Sequence, residues 1–390
     1  MSEGKGGADY GSLDFTVRRF QLLQLAEWAL PAVPSSPTLP VNGCFQVSVS
    51  PGRLRVAATD QQAAVFAEAP AVITQSTGEA FLPARKLKAI LAEAREGDVT
   101  VSVKGNAALV TAGSAAWSLR LPPPDGYSGL PDLSGAQFAP VGREVLLGAL
   151  GTVRHAVGKD VGRPAFAQVR IAPSDAGVFA CAADSSQFSR APVPGFPGEM
   201  LIPGAALGDL VKLLDKVPVD DAEVAAAGPY AVFRVGPVTL AALRMAKGFP
   251  DVDNDFLRRV QGNDMELRVD REALTAALRR VRINSDASTS AVALIADSEG
   301  GRRGRLTVTS RDKDSNSAEE VIPASWEHGQ HLQVVNAGFL AAMLAVYPSA
   351  ECTFRLGKDR GKVRAPLVLE DGAKGVTGIC TQMVPALMGY

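Results

Sequence analysis

The run Arg271-Glu272-Ala273-Leu274-Thr275-Ala276-Ala277-Leu278-Arg279-Arg280-Val281 decides how the rest of the chain is read. Leu274, Ala277, Leu278 and Val281 fall at i, i+3, i+4 and i+7, the spacing of one helix face. The same opening, an Arg three places ahead of a Leu, recurs at Arg19-Phe20-Gln21-Leu22 and at Arg143-Glu144-Val145-Leu146. In the second of these, Leu146, Ala149, Leu150 and Val153 repeat the stripe. Two further anchors keep the same order. A strand-like run closes on an acid at Arg55 to Asp60, Phe179 to Asp184 and Leu306 to Asp312. Another helix opens at Pro83-Ala84-Arg85-Lys86-Leu87, Pro203-Gly204-Ala205-Ala206-Leu207 and Asn336-Ala337-Gly338-Phe339-Leu340. Three anchors in one order with nearly one period mark an internal repeat, read as three homologous domains of about 125 residues each.

Inside each repeat the apolar period alternates between helix and strand. Phe45-Gln46-Val47-Ser48-Val49-Ser50 alternates strictly, as a half-buried strand does, and Ser50-Pro51-Gly52 turns it into Arg53-Leu54-Arg55-Val56. A helix from about Ala84 to Arg95 precedes Val99-Thr100-Val101-Ser102-Val103, a Gly105-Asn106 turn and Trp117-Ser118-Leu119-Arg120-Leu121. Each domain then holds two helices and about six to eight short strands, mostly antiparallel, an α+β fold with its helices on one side. The expected boundaries are a disordered extension over 1–12 and domains over 13–136, 137–262 and 263–390. Pro122-Pro123-Pro124-Asp125-Gly126 opens the first linker and Lys247-Gly248-Phe249-Pro250-Asp251 the second.

At 390 residues with 46% apolar and 21% charged content, the chain can fill real cores and is no disordered tail. Forty basic against 41 acidic residues exclude a protein that coats nucleic acid through overall charge. The charge is nevertheless sorted by element. Across the six expected helices there are fourteen basic residues against six acidic ones, and the sixth helix has no basic residue. A basic surface built only from helices attracts phosphates without reading bases. Few aromatics interleave with these charges, so base stacking is not expected. Four separated cysteines without a Cys-x-x-Cys pair indicate neither a zinc knuckle nor a disulfide framework. No apolar run reaches the roughly 18 residues of a membrane span, and the polar start is no signal peptide. A cytoplasmic, soluble protein is expected.

Catalytic constellations are weak. His155, and His328 with His331, lack metal-ligand spacing to nearby acids. Asp184-Ser185-Ser186 has no nucleophile elbow around it and reads as an Asx-type turn. Gly300-Gly301-Arg302-Arg303-Gly304-Arg305 is a basic hairpin tip without the Gly-Lys-Ser/Thr of a phosphate loop. No enzyme site, metal or cofactor is expected.

Pro37-Thr38-Leu39-Pro40, Ala58-Thr59-Asp60, Leu82-Pro83-Ala84-Arg85-Lys86, Leu201-Ile202-Pro203, Phe249-Pro250-Asp251 and Val384-Pro385, in this order within a triple repeat, carry a resemblance. The chain resembles the bacterial sliding clamp, the beta subunit of DNA polymerase III, over nearly its whole length. The resemblance implies three clamp-type domains and a head-to-tail homodimeric ring around double-stranded DNA, without sequence specificity. It also implies a non-catalytic role beside a DNA-directed DNA polymerase, with no cofactor. Facing the DNA would be Arg19, Lys86, Arg143, Arg154, Arg271, Arg279, Arg280 and Arg282, with Lys159 and Arg163 adding phosphate contacts. A groove would take short linear peptides from DNA polymerase subunits, the clamp loader and repair proteins. Its lining, carried over by position, is Phe166, Ala183, Asp184, Ser185, Ser186, Gln187, Phe188, Phe249, Pro250, Met383, Val384, Pro385, Ala386 and Leu387. The family has Thr-Asp-Gly-His-Arg-Leu where this chain has Ala183 to Phe188, so two basic groups are lost. That departure motivates an alternative, a divergent accessory clamp with altered partners.

Overall fold

In the computed structural model the described residues are 10, 12–70, 73–160, 162–245, 248–252, 256–298, 304–359, 365–372, 374–381 and 383. The expected extension over 1–12 therefore falls almost wholly outside them, as does the hairpin tip at 299–303.

Six α-helices are described: α1 (Arg19–Ala29), α2 (Ala84–Glu93), α3 (Arg143–Val153), α4 (Gly204–Lys216), α5 (Arg271–Val281) and α6 (Ala337–Val346). Each opens at an anchor read from the sequence. The apolar stripe of α5 is its buried face, with Leu274, Ala277, Leu278 and Val281 at most 1% exposed. Asp270 caps α5 by accepting from the Ala273 N–H at 2.8 Å, and Asn336 caps α6 by accepting from Gly338 and Phe339. Uncharged and apolar all round, α6 packs into the core that holds the α5 stripe.

The chain divides into two compact units, Met1–Glu144 with Gly208–Arg244, and Val145–Leu207 with Met245–Tyr390. The stretch 137–262 contributes segments to both. The first unit holds two antiparallel sheets. One runs Ile73–Ser76, Ser12–Arg18, Asp98–Lys104, Ala107–Ala112, Ala115–Arg120. The other runs Ala139–Gly142, Asp221–Ala227, Tyr230–Val235, Val238–Leu243, Ala63–Ala69, Arg53–Thr59, Cys44–Ser50, Gly78–Pro83.

The second unit holds one sheet of twelve strands. From one edge its order is Met200–Pro203, Gln168–Ser174, Gly177–Ala183, Gln187–Pro192, Val376–Cys380, Leu367–Asp371. It continues Glu351–Leu356, Met265–Asp270, Ser317–Ser325, Gly304–Arg311, Ala291–Ser298, His331–Asn336. Where Val376–Cys380 passes α6, a Cβ on Gly378 would lie 2.6 Å from Met343 Cε, so a larger residue there would require the Met343 side chain to move.

One local arrangement occurs three times. The strand before α1, α3 or α5 pairs antiparallel with the strand after α2, α4 or α6, matching Arg18 with Asp98, Gly142 with Asp221 and Asp270 with Glu351. The helix-opening arginine then donates its backbone N–H to the loop carbonyl of Gly97, Asp220 or Ala350, at 2.9, 3.0 and 2.8 Å. In the first two cases the guanidinium also reaches the end of the neighbouring helix. Arg19 Nη1 donates to the Leu91 carbonyl at 2.8 Å. Arg143 donates Nη1 to Leu214 at 2.7 Å and Nε to Val219 at 2.6 Å. A cation at a helix C-terminus satisfies carbonyls that the helix leaves orphaned and opposes its dipole.

Replacing Arg143 with Met keeps the stem and removes both carbonyl partners. Charge-assisted hydrogen bonds of this kind contribute about 1.5–3 kcal/mol each, so urea denaturation should show a loss of about 2 kcal/mol or more. An unchanged midpoint would mean that the guanidinium is idle.

Candidate functional site

Two surfaces carry the sequence-derived candidates. On the helices, the structure sorts the expected DNA-facing cations into two groups. Arg19 and Arg143 have side chains only 13% and 16% exposed and are committed to helix-end carbonyls and to Glu96 and Glu144. Arg271 is half-buried, with a buried Nε that has no hydrogen-bond partner. Arg19 and Arg143 differ from the expectation: they brace helix ends and offer little to a phosphate. The second group is exposed. Within the first unit it includes Lys86, and within the second Arg154, Lys159, Arg163, Arg279, Arg280 and Arg282. Arg280 donates Nε to Glu320 at 2.7 Å, and Arg163 lies 3.8 Å from Asp160. Lys86, Arg154, Lys159, Arg279 and Arg282 have no ion-pair partner among the described residues. Solvated unpaired cations such as these exchange counterions for phosphates at little structural cost. Arg154 and Arg282 stand in the single 3₁₀ turns Arg154–Ala156 and Arg282–Asn284 that follow α3 and α5.

The second surface lies within the second unit. Phe166, Ala183, Phe188 and Phe249 come together in one apolar cluster. Sequence reasoning missed the rest of it: Val252, Phe256, Leu257 and Val260 from the segment read as a linker, with Cys181, Val368 and Ile379 from the sheet. The signal was present, because Val252, Phe256 and Val260 recur every fourth residue. Phe188 is fully buried and its ring stacks on Phe256 with centroids 5.6 Å apart. Pro250 is half-buried, and its carbonyl accepts from Val252 N–H at 2.9 Å. Met383 joins a different group with Ala291, Ala293 and Val334, and its N–H donates to the Val334 carbonyl at 2.7 Å. Val384, Pro385, Ala386 and Leu387 lie outside the described residues.

The polar rim of this surface is an Asx turn. Asp184 Oδ1 accepts from the Ser186 and Gln187 N–H groups at 2.6 and 2.8 Å. Gln187 Nε2 donates to Asp184 Oδ2 at 2.8 Å and to the His155 carbonyl at 3.2 Å. Ser185 stands exposed and Ser186 half-buried at the turn. With its carboxylate spent on the turn, Asp184 is not positioned as a free base for Ser186. Burial also pushes the thiols of Cys44, Cys352 and Cys380 up to about 12, so they are poor nucleophiles. Among the described residues no group of three or more His, Cys, Asp or Glu side chains could hold a metal ion.

Comparison with known proteins adds sequence and fold relatives. The family model for the DNA polymerase III beta subunit, N-terminal domain, matches residues 13–131. The beta sliding clamp of Micrococcus luteus is 22% identical over 321 residues, covering 81% of this chain and 100% of the relative. That of Synechococcus elongatus is 24% identical over 350 residues, covering 87% and 91%. Among solved structures, the beta sliding clamp of C. crescentus superposes with a TM-score of 0.86 at 20% identity, over 96% of this chain and 100% of that one. A sliding clamp from Pseudomonas aeruginosa bound to griselimycin gives 0.85 at 19%, over 96% and 100%.

Burial lowers the pKa of His155 and His331 below the usual 6.5, although the Thr152 carbonyl and Asp184 act the other way on His155. As pH falls through that ordinary value the unfolded chain takes up protons that the folded one refuses, so stability is full above it and declines below. Thermal melts at pH 7.5 and 5.5 should show a lower Tm in acid, and His155→Leu should shrink the difference. An equal drop in both proteins would overturn the assignment.

Proposed function

We propose, from the premise that this chain is a divergent member of the bacterial sliding-clamp family, that two copies close head to tail into a ring around duplex DNA. The protein is a DNA sliding clamp, a non-catalytic processivity factor that keeps a replicative DNA polymerase on its template. Three domains per copy, over residues 13–136, 137–262 and 263–390, supply the repeat.

One observation carries the closure. The last strand of the expected second domain, Val238–Leu243, pairs antiparallel with Ala63–Ala69 of the first. The last strand of the third, Val376–Cys380, pairs in the same way with Gln187–Pro192 of the second. Two equivalent strands have no such partner among the described residues. Ala115–Arg120 ends its sheet, and Ser317–Ser325 is paired on its second side only at Ala324 and Ser325. Joining the first of these to the second in another copy repeats the junction already made twice. A heterologous contact of this kind closes or polymerises, and two copies with six domains close it. Apolar groups stand ready near both edges. Val321 is 53% exposed, and Ile283 is 79% exposed beside Asn284, whose side chain donates to the Ser317 carbonyl at 3.0 Å. On the other sheet Leu109 is 46% exposed.

Function then follows from linkage. Lys86, Arg154, Lys159, Arg163, Arg279, Arg280 and Arg282 offer duplex phosphates a diffuse attraction without a preferred register, which permits sliding. The half-buried Phe166 and Phe249, packed over the buried Phe188 and Phe256 and rimmed by Ser185 and Ser186, take short apolar peptides from DNA polymerase subunits, the clamp loader and repair proteins. The relatives matched over most of the chain are themselves beta sliding clamps, so a separate accessory role is not favoured. No helix among the described residues is long and apolar enough to cross a membrane.

The expected outcome is a dimer by sedimentation, retained after loading on closed circular DNA and released when that DNA is linearised. Equal retention on both forms would sink the ring. The double variant Ile283→Asp/Val321→Asp changes only exposed side chains, and it should sediment as a folded monomer and lose retention.

A further inference from the structure

In the first unit, α1, α2 and α4 border a cavity of about 640 Å³, within the roughly 300–1,000 Å³ of ligand clefts. One wall is the half-buried indole of Trp28, in the last turn of α1, with Pro31 beside it. Lys88 from α2 and Lys212 and Lys216 from α4 complete the lining, and Glu27 is its only acid among the described residues. Lys88 and Lys212 have no ion-pair partner among the described residues. Lys216 lies 3.4 Å from Asp215 with both side chains more than half exposed, a weak pair. The two other tryptophans are placed differently. Trp326 is fully buried and its Nε1 donates to the Gly329 carbonyl at 2.9 Å, and Trp117 stands on the edge strand Ala115–Arg120. Trp28 thus combines a half-open indole with surrounding cations.

We propose that this cavity binds one unpaired nucleotide of a DNA strand, its base stacked on Trp28 and its flanking phosphates held by Lys88, Lys212 and Lys216. An acidic peptide would use the lysines and leave the indole face uncovered, whereas a base with its phosphates uses both. The site departs from the expectation that few aromatics interleave with the helix charges and that base stacking plays no part. It rests on the reading of the helix face as the DNA side, and adds to diffuse duplex attraction a specific hold on single-stranded DNA.

The test is fluorescence anisotropy of a short labelled oligothymidylate with the full chain, run beside retention on closed circular duplex. Trp28→Leu should weaken oligonucleotide binding by about ten-fold, the size of one lost stacking contact, and leave duplex retention unchanged. Trp28→Phe, which keeps an aromatic face and guards against a folding defect, should retain most of the affinity. Lys212→Gln/Lys216→Gln should flatten the dependence of log affinity on log salt by about 0.7 per lysine. Wild-type protein that ignores the oligonucleotide, or binds it equally after Trp28→Leu, overturns the proposal. So does displacement by polyglutamate as effective as by unlabelled oligonucleotide of equal charge. If duplex retention fails while binding stays dependent on Trp28, the ring reading falls and this inference stands.

Discussion

A strand at the edge of a sheet presents a row of backbone donors and acceptors that must find partners in water or in another strand. The disposal of those groups organises this chain. Val238–Leu243 and Val376–Cys380 each end a run of hairpins, and each is absorbed by the fourth strand of the preceding repeat. Repetition of the same antiparallel junction is what joins short runs of hairpins into long continuous sheets. It also leaves Ala115–Arg120 and Ser317–Ser325 as the two ends of an unfinished series. Pro323 lies within the second of these, and a residue without an N–H restricts which strand can add there. The edges are thus selective as well as open.

The helices carry a second constraint, because one residue type serves two purposes. Arg19 and Arg143 use the planar guanidinium fork to gather carbonyls from the end of a neighbouring helix. Among the more solvated cations, Arg279 and Arg280 come late in α5, and Arg154 and Arg282 stand in the 3₁₀ turns that follow α3 and α5. These two fixed arginines brace the first two helix pairs, so that the free ones share a stable background. A chain with nearly balanced total charge can therefore still present a cationic face, provided that its acids are placed on strands and loops.

The repeat, the helix openings and most strands were legible in the sequence, because burial writes a period of 3.6 or 2 into the apolar positions. Phe45 to Ser50 and Leu274 to Val281 illustrate both periods. The opposite roles of Arg19 and Arg279 were not legible. Spacing places both on helices, but only the neighbouring chain end decides whether a guanidinium meets a carbonyl or solvent. Phe256 was missed because its stretch lacks regular strands and follows Phe249-Pro250-Asp251, so turn chemistry outweighed a short apolar period. The Trp28 cavity was hidden for a third reason. Lys88 and Lys212 are far apart in the chain, and no local pattern marks residues that converge only in the folded unit.

A nucleotide site in the proposed bore conflicts with sliding only if it opens base pairs, and magnitudes decide whether it does. Stacking on an aromatic side chain is worth about 1–3 kcal/mol per base. Extracting a paired base from a duplex costs a few kcal/mol. Over intact duplex the two nearly cancel, so Trp28 gains nothing by opening a base pair and the cavity adds no brake. At a gap, a frayed end or a single-stranded junction the extraction cost has already been met, and the full stacking energy becomes available. The same lysines that contribute only diffuse attraction elsewhere then act with the indole on one fixed nucleotide. A ring with such a cavity moves freely along paired DNA and lingers where pairing stops.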